Sequence, residues 1–198
     1  MKRISLVNVA HDLIRDILRP GDIAIDATVG NGHDTVFLAE QIGSSGHVYG
    51  FDIQQAAIDS TREKFRQAHS PECLTLIHAS HADMDEKIPE QLHGKIRVIM
   101  FNLGYRPGGD KSIITLTDST LTALTVAVRI LAVNGIITLL AYPGHQGGDL
   151  ETDQVKNWCE QLDTKQFAVS TIYSTEHKDT APRLFVICKW QDLDWKTG

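Results

Sequence analysis

Three carboxylates and two glycines fall at spacings able to hold a nucleoside-bearing ligand. Residues 25–37 read Ile-Asp-Ala-Thr-Val-Gly-Asn-Gly-His-Asp-Thr-Val-Phe. An apolar run from Ile23 to Ile25 ends in Asp26, and the turn Gly30-Asn31-Gly32 follows. A helix is expected from His33. A second apolar run, Val48-Tyr49-Gly50-Phe51, ends in Asp52, about twenty residues past the turn, where dinucleotide folds place a ribose carboxylate. Glycines let the backbone approach a ligand closely, and a helix start offers N–H groups without helical partners. A carboxylate at the end of the second strand can accept from both hydroxyls of a ribose.

The charge of the turn selects between ligands. A dinucleotide wants G-x-G-x-x-G, so that pyrophosphate sits on the helix start. Here Thr35 stands where the third glycine would be, and Asp26 and Asp34 flank the turn. Carboxylates repel pyrophosphate and favour a ligand carrying an ammonium and a sulfonium. This points to S-adenosylmethionine and a class I methyltransferase, with Asp26, Gly30, Asp34 and Asp52 as candidate contacts. An ordinary strand–turn–helix is the rival reading, and it leaves the spacing of both aspartates and the glycines to accident.

A second constellation could perform the transfer. The run Phe101-Asn102-Leu103-Gly104-Tyr105 closes the fourth predicted strand, at the edge where open α/β sheets place their sites. It resembles the Asn/Asp-Pro-Pro-Tyr motif of enzymes that methylate amino nitrogens, with Leu-Gly replacing Pro-Pro. An amide oxygen at Asn102 can hold the N–H groups of a neutral amine and aim its lone pair. Tyr105 can pack against the target base. Asn102 as a plain loop cap is the alternative. The loop continues through Arg106, Gly108, Gly109, Asp110 and Lys111, which can receive a substrate phosphate or simply be solvated. Ser80 and His81 follow the third strand, where adenine would lie. Tyr142 and His145 follow the fifth, with His145 able to take a proton or serve only in a turn. No histidine–cysteine spacing suggests a metal, and no G-x-S-x-G elbow suggests a hydrolase.

These residues require a scaffold of alternating strands and helices. Leu6, Val9, Ala10, Leu13, Ile14, Ile17 and Leu18 have helical spacing over 5–18, and Pro20-Gly21 ends that helix. Strands are predicted at 22–26, 47–52, 73–78, 96–101, 136–142, 166–173 and 183–190. Helices are predicted at 33–42, 54–68, 82–92, 118–132 and 149–162, with Asn134-Gly135 as the stop of the 118–132 helix. This alternation implies an α/β fold: a seven-stranded, mostly parallel sheet with one antiparallel strand and helices on both faces.

Composition agrees with one domain over 1–198. The chain has 198 residues, 42% hydrophobic and 22% charged, enough for a real core. A net charge of -6 advertises no broad basic face, so any RNA contact must use a local cluster or a second subunit. Cys73, Cys159 and Cys188 form no paired framework, Cys73 and Cys188 reading as small core hydrophobes, and a reducing cytoplasm is expected. The amino-terminal segment lacks the long apolar run of a signal peptide or membrane span.

Together IDATVGNGHDT, GFDIQ, FNLGYRPGGDK and YPGH resemble the bacterial family labelled rRNA methylases, also called YtqB or MnmM, from about residue 5 to 190. The resemblance implies a Rossmann-type, S-adenosylmethionine-dependent enzyme that methylates the 5-aminomethyl group of a tRNA wobble uridine. It implies that Asn31, His33, Asp34, Asp52 and Gln54 hold the cofactor, with Ser80 and His81 near the adenine. Asn102, adjoining both ligands, and Tyr105 would face the amine. Arg106, Lys111, Tyr142, Lys178 and Arg183 are the candidate substrate contacts, with Lys178 and Arg183 able to touch the anticodon arm, and a homodimer would enlarge the surface. The stretch His177 to Arg183 departs from the Asn/Pro-rich stretch expected there, and a solvated turn is the other reading of its charges. Rival functions are methylation of a small metabolite amine or of rRNA, and a non-catalytic nucleotide-binding module.

Overall fold

A computed structural model describes residues 4–68, 71–104, 116–144, 147–174 and 180–190. The first helix, α1 (Leu6–Ile17), starts at Ser5, whose hydroxyl accepts from the Asn8 N–H. Leu6, Ala10 and Ile14 are its buried stripe. Strand β1 (Ile23–Asp26), helix α2 (His33–Ile42), strand β2 (His47–Asp52), helix α3 (Gln55–Ala68) and strand β3 (Leu74–His78) form the first half. A short helix α4 (Met84–Lys87), strand β4 (Ile96–Asn102), helix α5 (Thr117–Ile130), strand β5 (Leu131–Ala141), helix α6 (Gly148–Glu160) and strands β6 (Phe167–Tyr173) and β7 (Arg183–Lys189) complete it.

The sheet runs β3-β2-β1-β4-β5-β7-β6, and β7 alone is reversed, pairing antiparallel with both β5 and β6. Alternate residues of each central strand feed opposite cores. Ala24, Val98 and Met100 face Ile14, Leu38 and Phe65 from α1, α2 and α3. Ile25, Ile99 and Phe101 face Met84, Leu124 and Val155 from α4, α5 and α6. This two-residue period explains why the central strands read as unbroken apolar runs. Strand order reverses between β1 and β4, so a crevice opens beyond their carboxyl ends.

Two boundaries differ from expectation. The 82–92 segment is not one helix, because Pro89 cannot continue it, and 3-10 turns at His81–Asp83 and Glu90–Leu92 bracket α4. Asn134-Gly135 does not end α5. That helix stops at Ile130, β5 begins at once, and the pair forms an irregularity inside the strand. The register moves from Ile96↔Leu131 to Val98↔Ile136 there, and Asn134 takes φ 59. A Cβ on Gly135 would lie 2.8 Å from Ala132 O and 2.9 Å from Arg97 O, so only glycine fits the bulge. Asn-Gly marks a left-handed residue equally well after a helix and within a strand.

The two turn glycines serve different neighbours. Gly30, at φ +52, lines the crevice, and an added Cβ would meet only Thr28 O, in ordinary contact at 3.8 Å. Gly32, at φ +75, instead faces α3: an added Cβ would lie 2.5 Å from Thr61 Oγ1 and 2.7 Å from Thr61 Cγ2. Gly32→Ala combines left-handed strain with overpacking, so it should cost about 2–5 kcal/mol. Urea unfolding should show the midpoint fall with the slope unchanged. Adding Thr61→Ala should recover part of the loss.

Candidate functional site

The crevice is a cleft of about 650 Å³ at the β1–β4 switch. Its floor comes from the loop after β1, where Gly30 N–H donates to Asp52 Oδ2 over 2.8 Å. The other oxygen, Oδ1, accepts from Gln54 N over 2.8 Å. Asp52 therefore ties the β1 loop to the start of α3, and each oxygen keeps a second lone pair for a ligand hydroxyl. Lys64 Nζ holds the Asn31 carbonyl at 2.6 Å from the far side. Gly30, Asn31, His33, Asp34, Asp52, Gln54, Ser80, His81, Asn102 and Tyr142 all line this cleft.

Asp26 does not line the cleft. It is 1% exposed, and its carboxylate accepts from Thr28 N at 3.1 Å and Thr35 Oγ1 at 2.6 Å. The structure thus places it beneath the loop, as a brace, because β1 turns alternate side chains inward. Burial first, then the charge of Asp34, push its carboxyl up from 3.8 to about 7, against the two hydrogen bonds. The native state therefore binds more protons than the unfolded chain between those values. Stability contributed by Asp26 is fully present below pH 3.8 and is lost as pH rises through about 7. Asp26→Asn, neutral throughout, should flatten that slope in denaturant titrations across the window. Parallel slopes for the two proteins would overturn the assignment.

His81 has the opposite perturbation. Burial lowers its pKa, leaving the ring neutral near pH 7. Nδ1 lies 3.1 Å from the Ala27 carbonyl, an acceptor, so Nδ1 carries the proton. Nε2 is then an acceptor, buried without a partner at the cleft wall. Phe101 packs edge-on against the ring at 5.8 Å. Ser80 caps the turn before α4, its hydroxyl accepting from Ala82 N at 3.1 Å.

Asn102 stands at the end of β4. Its N–H donates to Thr28 Oγ1 at 2.7 Å, and its Nδ2 lies 3.4 Å from Asp34 Oδ2. Thr28 was not among the expected site residues, although it sits inside the β1 turn. Tyr142, just past the neighbouring strand β5, also lines the cleft, and burial together with the charge of Asp34 pushes its phenol up to about 12, so it remains protonated. Arg183 reaches the same sheet edge through its pairing with Ala141, but it points at Asp153 over 3.5 Å and at the Tyr173 ring rather than lining the cleft. Tyr105, Arg106, Asp110, Lys111, His145 and Lys178 lie outside the described residues.

Among the described residues the cleft wall carries Asp34 and Asp52 and no lysine or arginine. Such a site favours cationic ligands and disfavours phosphates. No group of three or more metal-ligating side chains occurs among the described residues. No described helix is long and apolar enough to cross a membrane.

A seven-stranded sheet in this order, with its next-to-edge strand reversed and a cleft at the central switch, is the class I methyltransferase fold. The family model described as "Putative rRNA methylase" matches residues 48–188. The chain belongs to this family. It is 43% identical over 162 residues to the chloroplastic tRNA (mnm(5)s(2)U34)-methyltransferase of Arabidopsis thaliana, a match covering 78% of this chain and 58% of that protein. The chain thus spans less than two thirds of that relative's length. The crystal structure of a putative rRNA-methylase from Clostridium thermocellum superposes with a TM-score of 0.89 at 36% identity, covering 96% of this chain and 100% of the other. A putative methyltransferase from Streptococcus mutans, solved in complex with SAH, gives 0.82 at 35% identity over 94% and 98%.

Proposed function

We propose that this chain is an S-adenosylmethionine-dependent N-methyltransferase acting on the 5-aminomethyl group of a tRNA wobble uridine. The observation that carries the reading is a cleft lined, among the described residues, by Asp34 and Asp52 and by no lysine or arginine, with Asn102 in its wall. The named activity of the Arabidopsis relative supports the substrate.

The residues suit the cofactor. Asp52 presents free lone pairs at the end of β2 for ribose hydroxyls, and the orphaned Nε2 of His81 suits an exocyclic amino group. Asp34 offers negative charge to an ammonium. When bound there, S-adenosylmethionine would supply a methyl carbon activated by a sulfonium leaving group. Asn102 accepts N–H groups of the amine and orients its lone pair, while Tyr142, protonated, lines the same cleft. An alkyl ammonium like that of lysine titrates near 10.4, so the amine must shed a proton before it attacks. His145 and Asp110 are the candidate bases. The chain's net charge of -6 makes a homodimer the reading that brings enough surface to an anticodon arm.

The test is methyl transfer from labelled cofactor to bulk tRNA of a strain lacking this gene, read by nucleoside mass spectrometry. One methyl gained on 5-aminomethyl-uridine is the expected product. Intact cofactor binding with no transfer to tRNA would shift the substrate to a small amine, the reading the acidic charge favours. Filter binding to tRNA should weaken as salt rises, since phosphate contacts release counterions.

A further inference from the structure

The amide of Asn102 can orient an amine only if it does not flip, and α1 reaches the group beside it. His11 Nε2 lies 2.7 Å from Asp34 Oδ1. Asp34 Oδ2 in turn faces Asn102 Nδ2 at 3.4 Å. We propose that His11 is a positioning residue, holding Asp34 so that Asp34 fixes the amide of Asn102 with its oxygen toward the substrate amine. The inference rests on the proposed function and names a residue outside the cofactor and strand motifs.

The geometry is restrictive. A carboxylate only accepts, so the Asn102 atom beside it must be the NH2 group, and Oδ1 is left as the acceptor for an amine N–H. The Asn102 backbone is already tied to Thr28 at 2.7 Å, so rotation of the amide is the freedom that remains. At 3.4 Å the Asp34 bond is long for N–H···O, and its hold depends on Asp34 being immobile. His11 provides that immobility with a short, charge-assisted bond. The imidazole is itself clamped, stacked on Phe37 with ring centroids 3.8 Å apart and planes 5° from parallel. Arg15, one turn on, lies over the same Phe37 ring at 5.1 Å. A flipped amide would offer N–H groups to the amine and compete for its lone pair.

The test separates the hydrogen bond from the stack. His11→Phe keeps a ring against Phe37 and removes the N–H. His11→Gln keeps an N–H and removes the ring. Single-turnover transfer to aminomethyl-uridine tRNA should fall about tenfold or more in His11→Phe, as for a lost hydrogen bond to a charged group, and return toward wild type in His11→Gln. KM for the tRNA should hold in both, and any loss of cofactor affinity through Asp34 should be smaller than the loss of transfer. The Asn102 Nδ2H2 signals in 15N spectra should shift in His11→Phe and not in His11→Gln. The reverse order, with Gln impaired and Phe active, would mean that His11 serves only packing and would overturn the proposal. Full activity in both variants would overturn it as well. Should wild type transfer nothing to tRNA, the tRNA reading fails, while the amide signals still decide the positioning role.

Discussion

Asp52→Ala is expected to raise the dissociation constant for S-adenosylmethionine by about 100-fold or more, as two or more hydrogen bonds to a charged group are lost. The side chain accepts from Gly30 N and Gln54 N at 2.8 Å each. On the proposed function, removing it deprives the ribose of its acceptor, and it also frees the loop after β1 from the start of α3. Asp52→Asn should also weaken binding, though less, because its one amide oxygen can accept from only one of the two backbone N–H groups and its NH2 would face the other. Titration calorimetry with the cofactor measures both variants. A constant within about threefold of wild type, less than one hydrogen bond's worth, would mean that the ribose is held elsewhere. The fold itself should survive, since Asp52 lies at the cleft and both cores sit beneath the sheet faces.

Asn102→Ala should divide the effects the other way. Turnover is expected to drop about 100-fold to 1,000-fold, while cofactor affinity stays within about threefold, because on the proposed function the interaction lost is one made to the amine in the transition state. The backbone bond to Thr28 is preserved in the variant, so the end of β4 keeps its place. Single-turnover transfer and calorimetry on the same preparation separate the two quantities. Equal loss of both would make Asn102 a cofactor contact rather than an amine-orienting group. Asn102→Ala combined with His11→Phe should cost no more than Asn102→Ala alone, since one residue acts through the other.

Much of the site was legible because its signals are local. Gly30 and Asp52 are placed by the lengths of one turn, one helix and one strand, and Asn102 by the end of a continuous apolar run. His81 was placed near the cofactor by its position after β3, but its tautomer depends on Ala27, 54 residues away. Asp26 carried the same aspartate-before-turn signal as a ligand contact, yet the pleat turns it under the loop onto Thr35. Arg183 was expected from its charge, and its partner Asp153 belongs to α6.

By itself, then, the sequence determined the order of strands and helices, the class of cleft and the carboxylates that line it. Those properties follow from hydrophobic period, turn chemistry and spacing within about thirty residues, the span of one βαβ unit. Tertiary structure alone decided which faces meet. It set Gly32 against Thr61, made Asn134-Gly135 a bulge because Arg97 lies alongside, and docked α1 so that His11 reaches Asp34. Each of these contacts joins elements whose own patterns show only an apolar face, and a face names no partner until the sheet order is built.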